Sequence, residues 1–201
     1  MESSPLRRYI ARVTPADVLV LHGSPGSGKT TLSRAIAELL RKSDLTNAVI
    51  DLDDLNKVYP HPDRSFARDN LAAMWPNYAA IPDLRLVIPS VIADEDELVQ
   101  LRAAVPGARF VVCELTAPKA VLEERVRVRE PNEYWQNMLR YFVDLYHQRS
   151  DLARIRDFQV STHNRSVDEA AREVTEKAGW QPRSGAETSA QPLPDSGTCS
   201  H

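Results

Sequence analysis

Short apolar runs alternate along this chain with longer stretches whose apolar residues recur every three or four positions. The short runs are rich in Val, Leu and Ile, which predicts buried strands of a parallel sheet. The longer stretches predict amphipathic helices that cover the sheet. We predict five strands, over residues 17–22, 47–52, 84–91, 109–115 and 157–161. Alternating strands and helices indicate an α/β fold with a parallel sheet and helices on both faces.

Helices are predicted between these strands, and their ends carry local signals. The predicted helices cover residues 31–40, 66–78, 94–104, 118–129, a long amphipathic stretch at 133–155, and a last helix that ends near residue 179. Ser65 is a candidate N-cap for the second helix, and Pro76 should disturb its end. Ser166 and Glu169 fit a capping box at the start of the last helix.

The chain divides by composition into one domain and two flanking segments. We assign residues 16–180 to a single α/β domain and residues 1–15 to an N-terminal extension. Residues 181–201 are rich in Ser, Pro, Gly and Thr, which predicts a disordered tail.

A glycine-rich octapeptide joins the first predicted strand to the first helix. Residues 23–30, GSPGSGKT, fit the phosphate-binding pattern G-x-x-x-x-G-K-[ST] in full. Lys29 is expected to reach the β- and γ-phosphates of a nucleotide, and the Thr30 hydroxyl to bind Mg²⁺. A chance match in a Gly-rich turn is the alternative, and the strand–turn–helix context disfavours it. The expected phosphate-binding residues are Gly23, Ser24, Pro25, Gly26, Ser27, Gly28, Lys29, Thr30 and Thr31.

Acidic residues follow the second predicted strand, in the sequence Asp51-Leu52-Asp53-Asp54. Ligands of such sheets bind at the carboxyl ends of the strands, so a carboxylate here should face the phosphate loop. Asp53 is the candidate to accept a proton from an acceptor hydroxyl or to hold a Mg²⁺-bound water. Capping of a turn is the alternative, and it is favoured for Asp51 and Asp54. Side-chain alternation along a strand predicts that Asp51 and Asp53 share a face.

Three arginines end the helix predicted over 118–129. Arg125 and Arg129 are four residues apart and therefore share a helix face, followed by a break at Pro131. Basic residues on a hinged segment can close over phosphates during transfer. The alternative is a solvated face paired with neighbouring glutamates, and Arg127 fits that alternative best.

The loop after the fifth strand, residues 162–166, is another strand-end segment. It is placed to touch a nucleotide base through residues such as Asn164 and Arg165. A simple connection between strand and helix is the alternative.

Residues 68–78 mix aromatic and amide groups and could line an acceptor pocket, but an amphipathic helix packed into the core also explains them.

Composition narrows the possible functions. An apolar content of 42% supports a packed core, and a formal charge of −3 gives no general attraction to nucleic acid or anionic membranes. No apolar run is long enough to span a membrane, and residues 1–16 lack the apolar core of a secretory signal. Two cysteines offer neither a disulfide framework nor a metal cluster, so a cytoplasmic protein is expected.

These stretches together resemble the small P-loop kinases, the superfamily of adenylyl-sulfate kinase, gluconate kinase, shikimate kinase and chloramphenicol phosphotransferase. The similarity lies in residues 23–30, in residues 49–55 with their strand-end acidic pair, and in residues 115–129 leading towards a mobile lid. The resemblance implies the P-loop NTPase fold with a helical lid, and ATP and Mg²⁺ as cofactors. It also implies that Asp53 serves the acceptor hydroxyl, that Arg125 and Arg129 contact the transferred phosphate or the base, and that residues 162–166 hold adenine.

The chain departs from adenylyl-sulfate kinase at two positions near the acidic pair. Leu52 stands where that family has Gly, and Asn56 stands where an Arg usually follows. The expected function is therefore an ATP-dependent kinase of a small hydroxylated molecule whose identity the sequence does not give. The alternatives are a nucleotide-binding regulator or ATPase, and a 5′-kinase of nucleic acid. Monomer and homodimer are both compatible with the sequence.

Overall fold

The computed structural model describes residues 15–60 and 62–180, which form one five-stranded sheet. Its strands are β1 (Asp17–His22), β2 (Asn47–Val49), β3 (Arg85–Pro89), β4 (Arg109–Thr116) and β5 (Phe158–Ser161). Every pairing is parallel, and the spatial order is β2-β3-β1-β4-β5. The predicted α/β class with five parallel strands is confirmed.

Helices cover both faces of this sheet. They are α1 (Lys29–Lys42), α2 (Leu52–Leu55), α3 (Ser65–Ala79), α4 (Glu95–Ala103), α5 (Lys119–Arg129), α6 (Glu133–His147), α7 (Leu152–Ile155) and α8 (Val167–Lys177). Alternate residues of β1 enter opposite cores because successive side chains of a strand point to opposite faces. Val18 and Val20 pack with residues of α3 and α4, whereas Leu19 and Leu21 pack with residues of α1 and α8.

Some predicted boundaries differ from the structure. β2 ends at Val49 rather than at residue 52, because the Asp51 side chain accepts a hydrogen bond from the Asp53 N–H and begins α2. α3 continues through Pro76 to residue 79, and its buried Trp75 is anchored by a 3.0 Å hydrogen bond from Nε1 to the Pro106 carbonyl. Its N-cap is Arg64, not Ser65.

The stretch predicted as one helix over 133–155 is two helices, α6 and α7. Between them Arg149 leaves the helical path and donates to the Ile92 carbonyl at 2.6 Å and to the Asp151 carboxylate. The predicted capping box at the start of α8 is confirmed, because Ser166 and Glu169 exchange their hydrogen bonds.

The carboxyl ends of the strands gather the polar segments of the domain at one edge. The phosphate loop follows β1, Asp51 follows β2, and residues 162–166 follow β5. The predicted tail at 181–201 and almost all of the predicted extension at 1–15 lie outside the described residues. Among the helices of the described ranges, none has the length and apolar character needed to cross a membrane.

Candidate active site

The phosphate loop contains glycines in backbone conformations that other residues rarely adopt. Gly26 has a φ of 79°, and a Cβ atom there would lie 2.7 Å from the Leu122 carbonyl oxygen of α5. Gly28 has a φ of 94° and would direct a Cβ into open space. Within the described residues no side chain caps α1, so the N–H groups of its first turn remain available for an anion. The loop therefore fits a phosphate group.

Lys29 lies at the centre of this loop. Its Nζ donates to the carbonyl oxygens of Gly23 at 2.9 Å and of Ser24 at 3.2 Å. Burial lowers the pKa of Lys29 to about 8, while the nearby carboxylate of Asp53 acts to raise the pKa and Arg129 to lower it. An anion placed next to this ammonium would favour its charged form.

Asp51 contacts the loop directly. The Thr30 hydroxyl donates to Asp51 Oδ2 at 3.1 Å, and the other carboxylate oxygen accepts the N–H of Asp53 at 3.1 Å. Burial raises the pKa of Asp51 above its usual value. Asp51 therefore caps a turn, as the sequence favours, and also meets the threonine expected to bind Mg²⁺. The sequence did not give Asp51 this second role, since short strand-end carboxylates cap turns so often.

Asp53 is exposed and lies in the wall of the largest cavity beside the loop. The sequence predicted that Asp51 and Asp53 share a face of a strand, but neither residue belongs to β2. Asp51 is the N-cap of α2 and Asp53 belongs to the first turn of that helix. Asp54 is exposed and forms an ion pair with Lys57.

Arg125 of α5 forms hydrogen bonds to the phosphate loop and to the loop after β5. Its guanidinium donates to the Thr162 carbonyl at 2.7 Å, to the Thr162 hydroxyl at 2.9 Å and to the Gly26 carbonyl at 3.3 Å. The Thr162 hydroxyl in turn donates to the Ser27 carbonyl at 3.1 Å. Arg125 thus holds α5, the phosphate loop and the loop after β5 in a fixed arrangement.

Arg129 and Arg127 lie in different surroundings. Arg129 is exposed, donates to Glu130 at 2.9 Å and reaches the walls of two cavities beside the phosphate loop. Arg127 is exposed and paired with Glu124. Arg125 and Arg129 are therefore brought to the loop, and Arg127 lies in the solvated pairing expected for it.

A cavity of about 330 Å³ lies between the phosphate loop, α5 and the start of α8. We call it the nucleotide-side cavity. Its wall includes Thr31, Arg129, Thr162, Arg165 and Ser166. Asn164, the other residue expected near a base, is exposed in the left-handed conformation with a φ of 53°.

A second cavity, of about 640 Å³, lies between the phosphate loop and α6. We call it the α6-side cavity. Its wall includes the loop residues Lys29 and Thr30 together with Asp53. The rest of its wall includes Arg64, Arg129, Leu139, Phe142, Leu145, Tyr146 and Arg149. The sequence did not reveal the α6 residues, because apolar positions at helical spacing are also typical of a core-facing helix.

Buried polar side chains support the base of this cavity. The hydroxyl of Tyr146 donates to the buried carboxylate of Glu114 at 3.0 Å, and Arg156 binds the other carboxylate oxygen. His22 is fully buried, accepts the Ile92 N–H on Nδ1 at 3.0 Å and contacts the Tyr146 ring. Burial, with help from Arg149 and Lys29, lowers the pKa of His22 to about 3, so it is neutral at physiological pH.

The part of the chain that the structure describes contains no ready-made metal cage. Over residues 15–60 and 62–180, no three or more His, Cys, Asp or Glu side chains are grouped so that they could hold a metal ion. The oxygen atoms of Thr30 and Asp51 nevertheless form a hydroxyl–carboxylate pair beside the loop.

Comparison with known proteins places this fold. A family model described as "AAA domain" matches residues 18–145. No curated protein matches the chain in sequence. A Mycobacterium tuberculosis adenylyl-sulfate (APS) kinase, solved with AMPPNP and APS, superposes with a TM-score of 0.59 at 19% identity, covering 81% of this chain and 96% of that one.

Two further solved structures are comparably similar. A gluconokinase from Sinorhizobium meliloti 1021 gives a TM-score of 0.57 at 22% identity, covering 84% of this chain and 94% of the other. A shikimate kinase from Acinetobacter baumannii, in complex with shikimate, gives 0.53 at 20% identity, covering 81% and 92%. The fold is that of the small P-loop kinases, as the sequence resemblance implied.

Proposed function

We propose that this chain, which belongs to the AAA-domain family, is an ATP- and Mg²⁺-dependent phosphotransferase that acts on a hydroxyl group of a small molecule. One observation carries the proposal. The α6-side cavity brings the phosphate-binding Lys29 and Thr30 together with the exposed carboxylate of Asp53, with room left for an acceptor. The similar structures of adenylyl-sulfate kinase, gluconokinase and shikimate kinase support a kinase of this kind.

The nucleotide would be held chiefly through its phosphates. The N–H groups of the loop and of the first turn of α1, with the Lys29 ammonium, would bind the β- and γ-phosphates. The nucleotide-side cavity would receive the base and ribose between Thr162, Arg165 and α5.

Thr30 and Asp51 would hold the magnesium ion, since Mg²⁺ sites commonly combine one or two carboxylates with phosphate oxygens. When bound, Mg²⁺ would neutralise charge on the phosphate oxygens. Asp53, which the sequence offered both as a base and as a metal ligand, is assigned to the acceptor, because it lies in the cavity wall while Asp51 contacts Thr30.

The proposed reaction is a direct transfer of the γ-phosphoryl group to the acceptor hydroxyl. The acceptor oxygen forms a bond to the γ-phosphorus while the bond from that phosphorus to the β,γ-bridging oxygen breaks. ADP leaves with the electron pair, the hydroxyl proton passes to the Asp53 carboxylate and then to solvent, and the products are a phosphate ester, ADP and H⁺. Lys29 and Arg129 stabilise the charge that develops on the phosphoryl oxygens.

The test is an acceptor screen that records ADP release and identifies the phosphorylated product by mass spectrometry. We expect acceptor-dependent ADP release that Lys29→Ala reduces at least about 100-fold, whereas Arg127→Ala, outside both cavities, leaves it within about twofold. One slow rate of ATP hydrolysis with every acceptor would instead indicate an ATPase. Transfer only to oligonucleotide 5′-ends, with strongly salt-dependent binding, would indicate a nucleic-acid kinase.

A further inference from the structure

The residues of α6 that line the α6-side cavity are apolar, and the phosphate loop lines the same cavity. Leu139, Phe142, Leu145 and Tyr146 occupy one side of α6 and line this cavity. Phe142 is 45% exposed and Leu145 is 40% exposed. Large apolar side chains exposed together mark a binding surface more often than isolated ones do.

The arginines of the same cavity already have carboxylate partners. Arg64 binds both oxygens of Glu97, each at 3.0 Å, and donates to the Val91 carbonyl at 2.7 Å. Glu97 also accepts a hydrogen bond from Arg68 at 2.7 Å, so the two arginines share this carboxylate. Arg129 pairs with Glu130 at 2.9 Å. A guanidinium that is already paired with a carboxylate attracts a further anion less than an unpaired one.

Arg149 is engaged even more completely. Its Nε and Nη2 bind the two oxygens of Asp151 at 2.9 and 2.8 Å, and its Nη1 donates to the Ile92 carbonyl at 2.6 Å. Its guanidinium also lies over the Tyr146 ring, 5.6 Å from the ring centre. Away from Lys29 and Arg129, the cavity therefore offers apolar surface and arginines that already bind carboxylates.

We infer that the acceptor is an uncharged alcohol with an aromatic or alicyclic body, which packs on Phe142 and Leu145 while its hydroxyl meets Asp53. This inference rests on the proposed function, because it assigns the acceptor of that same reaction. The hydroxyl oxygen receives the phosphoryl group from ATP, ADP leaves, and the proton goes to Asp53 and then to solvent.

The first test compares acceptors that share a ring and differ in charge. We expect kcat/KM for 1-phenyl-1,2-ethanediol to exceed that for mandelate at least about tenfold, and gluconate to be a poor acceptor. Preference for mandelate or gluconate would overturn the inference and leave the phosphotransferase function standing. Acceptor-independent ATP hydrolysis would overturn the function itself.

The second test needs no turnover. The uncharged fluorescent probe N-phenyl-1-naphthylamine should bind the wild-type protein in the presence of AMPPNP and Mg²⁺, and 1-phenyl-1,2-ethanediol should displace it while gluconate should not. Phe142→Ala should weaken probe binding at least about fivefold. The matched control is Tyr141→Ala, because Tyr141 is the neighbouring aromatic residue of α6 and is 59% exposed. It should change binding less than twofold.

Thermal unfolding of both variants checks that they are folded. Absence of probe binding to the wild-type protein, or equal effects of the two substitutions, would contradict an aryl site on this face of α6. If Phe142→Ala does not fold, Leu145→Ala tests the same cavity wall. Leu145→Ala should also weaken probe binding.

Discussion

At the scale of single residues, Lys29 offers a direct link between protonation and nucleotide binding. Its pKa is about 8 because it is buried, well below the usual 10.5. A bound phosphate would raise that pKa again, so nucleotide binding should take up a proton near pH 8 to 9. We predict that the affinity for AMPPNP is highest below pH 8 and is about tenfold weaker at pH 9 than at pH 7.

Isothermal titration calorimetry in buffers of different ionisation enthalpy measures both the affinity and the proton uptake. Lys29→Arg is the control, because a guanidinium stays charged throughout this range and should flatten the pH profile. If the wild-type affinity does not change from pH 7 to pH 9, the ammonium does not meet the phosphates.

Asp51 and Asp53 are close in sequence, but their substitutions should affect different steps of the reaction. Asp51→Asn weakens the hydroxyl–carboxylate pair with Thr30 and should raise the Mg²⁺ concentration for half-maximal activity at least about tenfold. Asp53→Asn should lower kcat about 100-fold or more, the usual contribution of a general base, with ATP affinity within about twofold. Mg²⁺ titrations and ATP-binding measurements separate the two effects.

Asp54→Asn is the matched control for this pair, since Asp54 is exposed and bound to Lys57. It should change neither the Mg²⁺ requirement nor kcat by more than about twofold. The same shift in Mg²⁺ requirement in Asp51→Asn and Asp53→Asn would contradict the division of roles.

At the scale of elements, Arg125 connects three segments of the candidate site. It joins α5 to the Gly26 carbonyl and to Thr162 through three hydrogen bonds. We predict that Arg125→Ala lowers the free energy of unfolding of the nucleotide-free protein by about 1–3 kcal/mol, because partly buried acceptors lose a charged donor. Urea unfolding monitored by circular dichroism measures the loss.

Arg127→Ala is the control on the same helix, and it should lie within about 0.5 kcal/mol of the wild type because its pair with Glu124 is exposed. An Arg125→Ala protein as stable as the wild type would show that the three hydrogen bonds do not hold the elements together.

Elements with strong local signals could be predicted from the sequence, and elements set by tertiary contacts could not. The phosphate loop and the Ser166–Glu169 capping box carry their own chemistry, so both were located correctly. The split of α6 from α7 depends on a long-range hydrogen bond from Arg149 to the Ile92 carbonyl. The early end of β2 is local, since Asp51 caps α2, but the apolar pattern over 47–52 does not reveal it. The cavity-facing role of Phe142 requires knowing which helix face the sheet leaves uncovered.

At the scale of the whole molecule, the candidate site unites residues far apart in the chain. The phosphate loop packs on α5 at Leu122, and Thr162 binds the Ser27 carbonyl from the far end of the sheet. Residues from both halves of the domain therefore form the nucleotide-side cavity, and unfolding of either half would destroy it. Nucleotide binding should for this reason stabilise the domain as a unit rather than one local segment.

Nucleotide binding should therefore raise the thermal stability of the whole domain. AMPPNP with Mg²⁺ at 100 times its Kd should stabilise the folded protein by about 2.7 kcal/mol, which corresponds to a rise in Tm of about 5–11 °C for a domain of this size. Adenosine, which lacks phosphates, should give a much smaller rise, and Lys29→Ala should reduce the AMPPNP effect at the same ligand concentration. Differential scanning calorimetry measures all three. Equal rises with adenosine and AMPPNP would mean that the base, and not the polyphosphate, carries the binding, against the role we assign to residues 23–30.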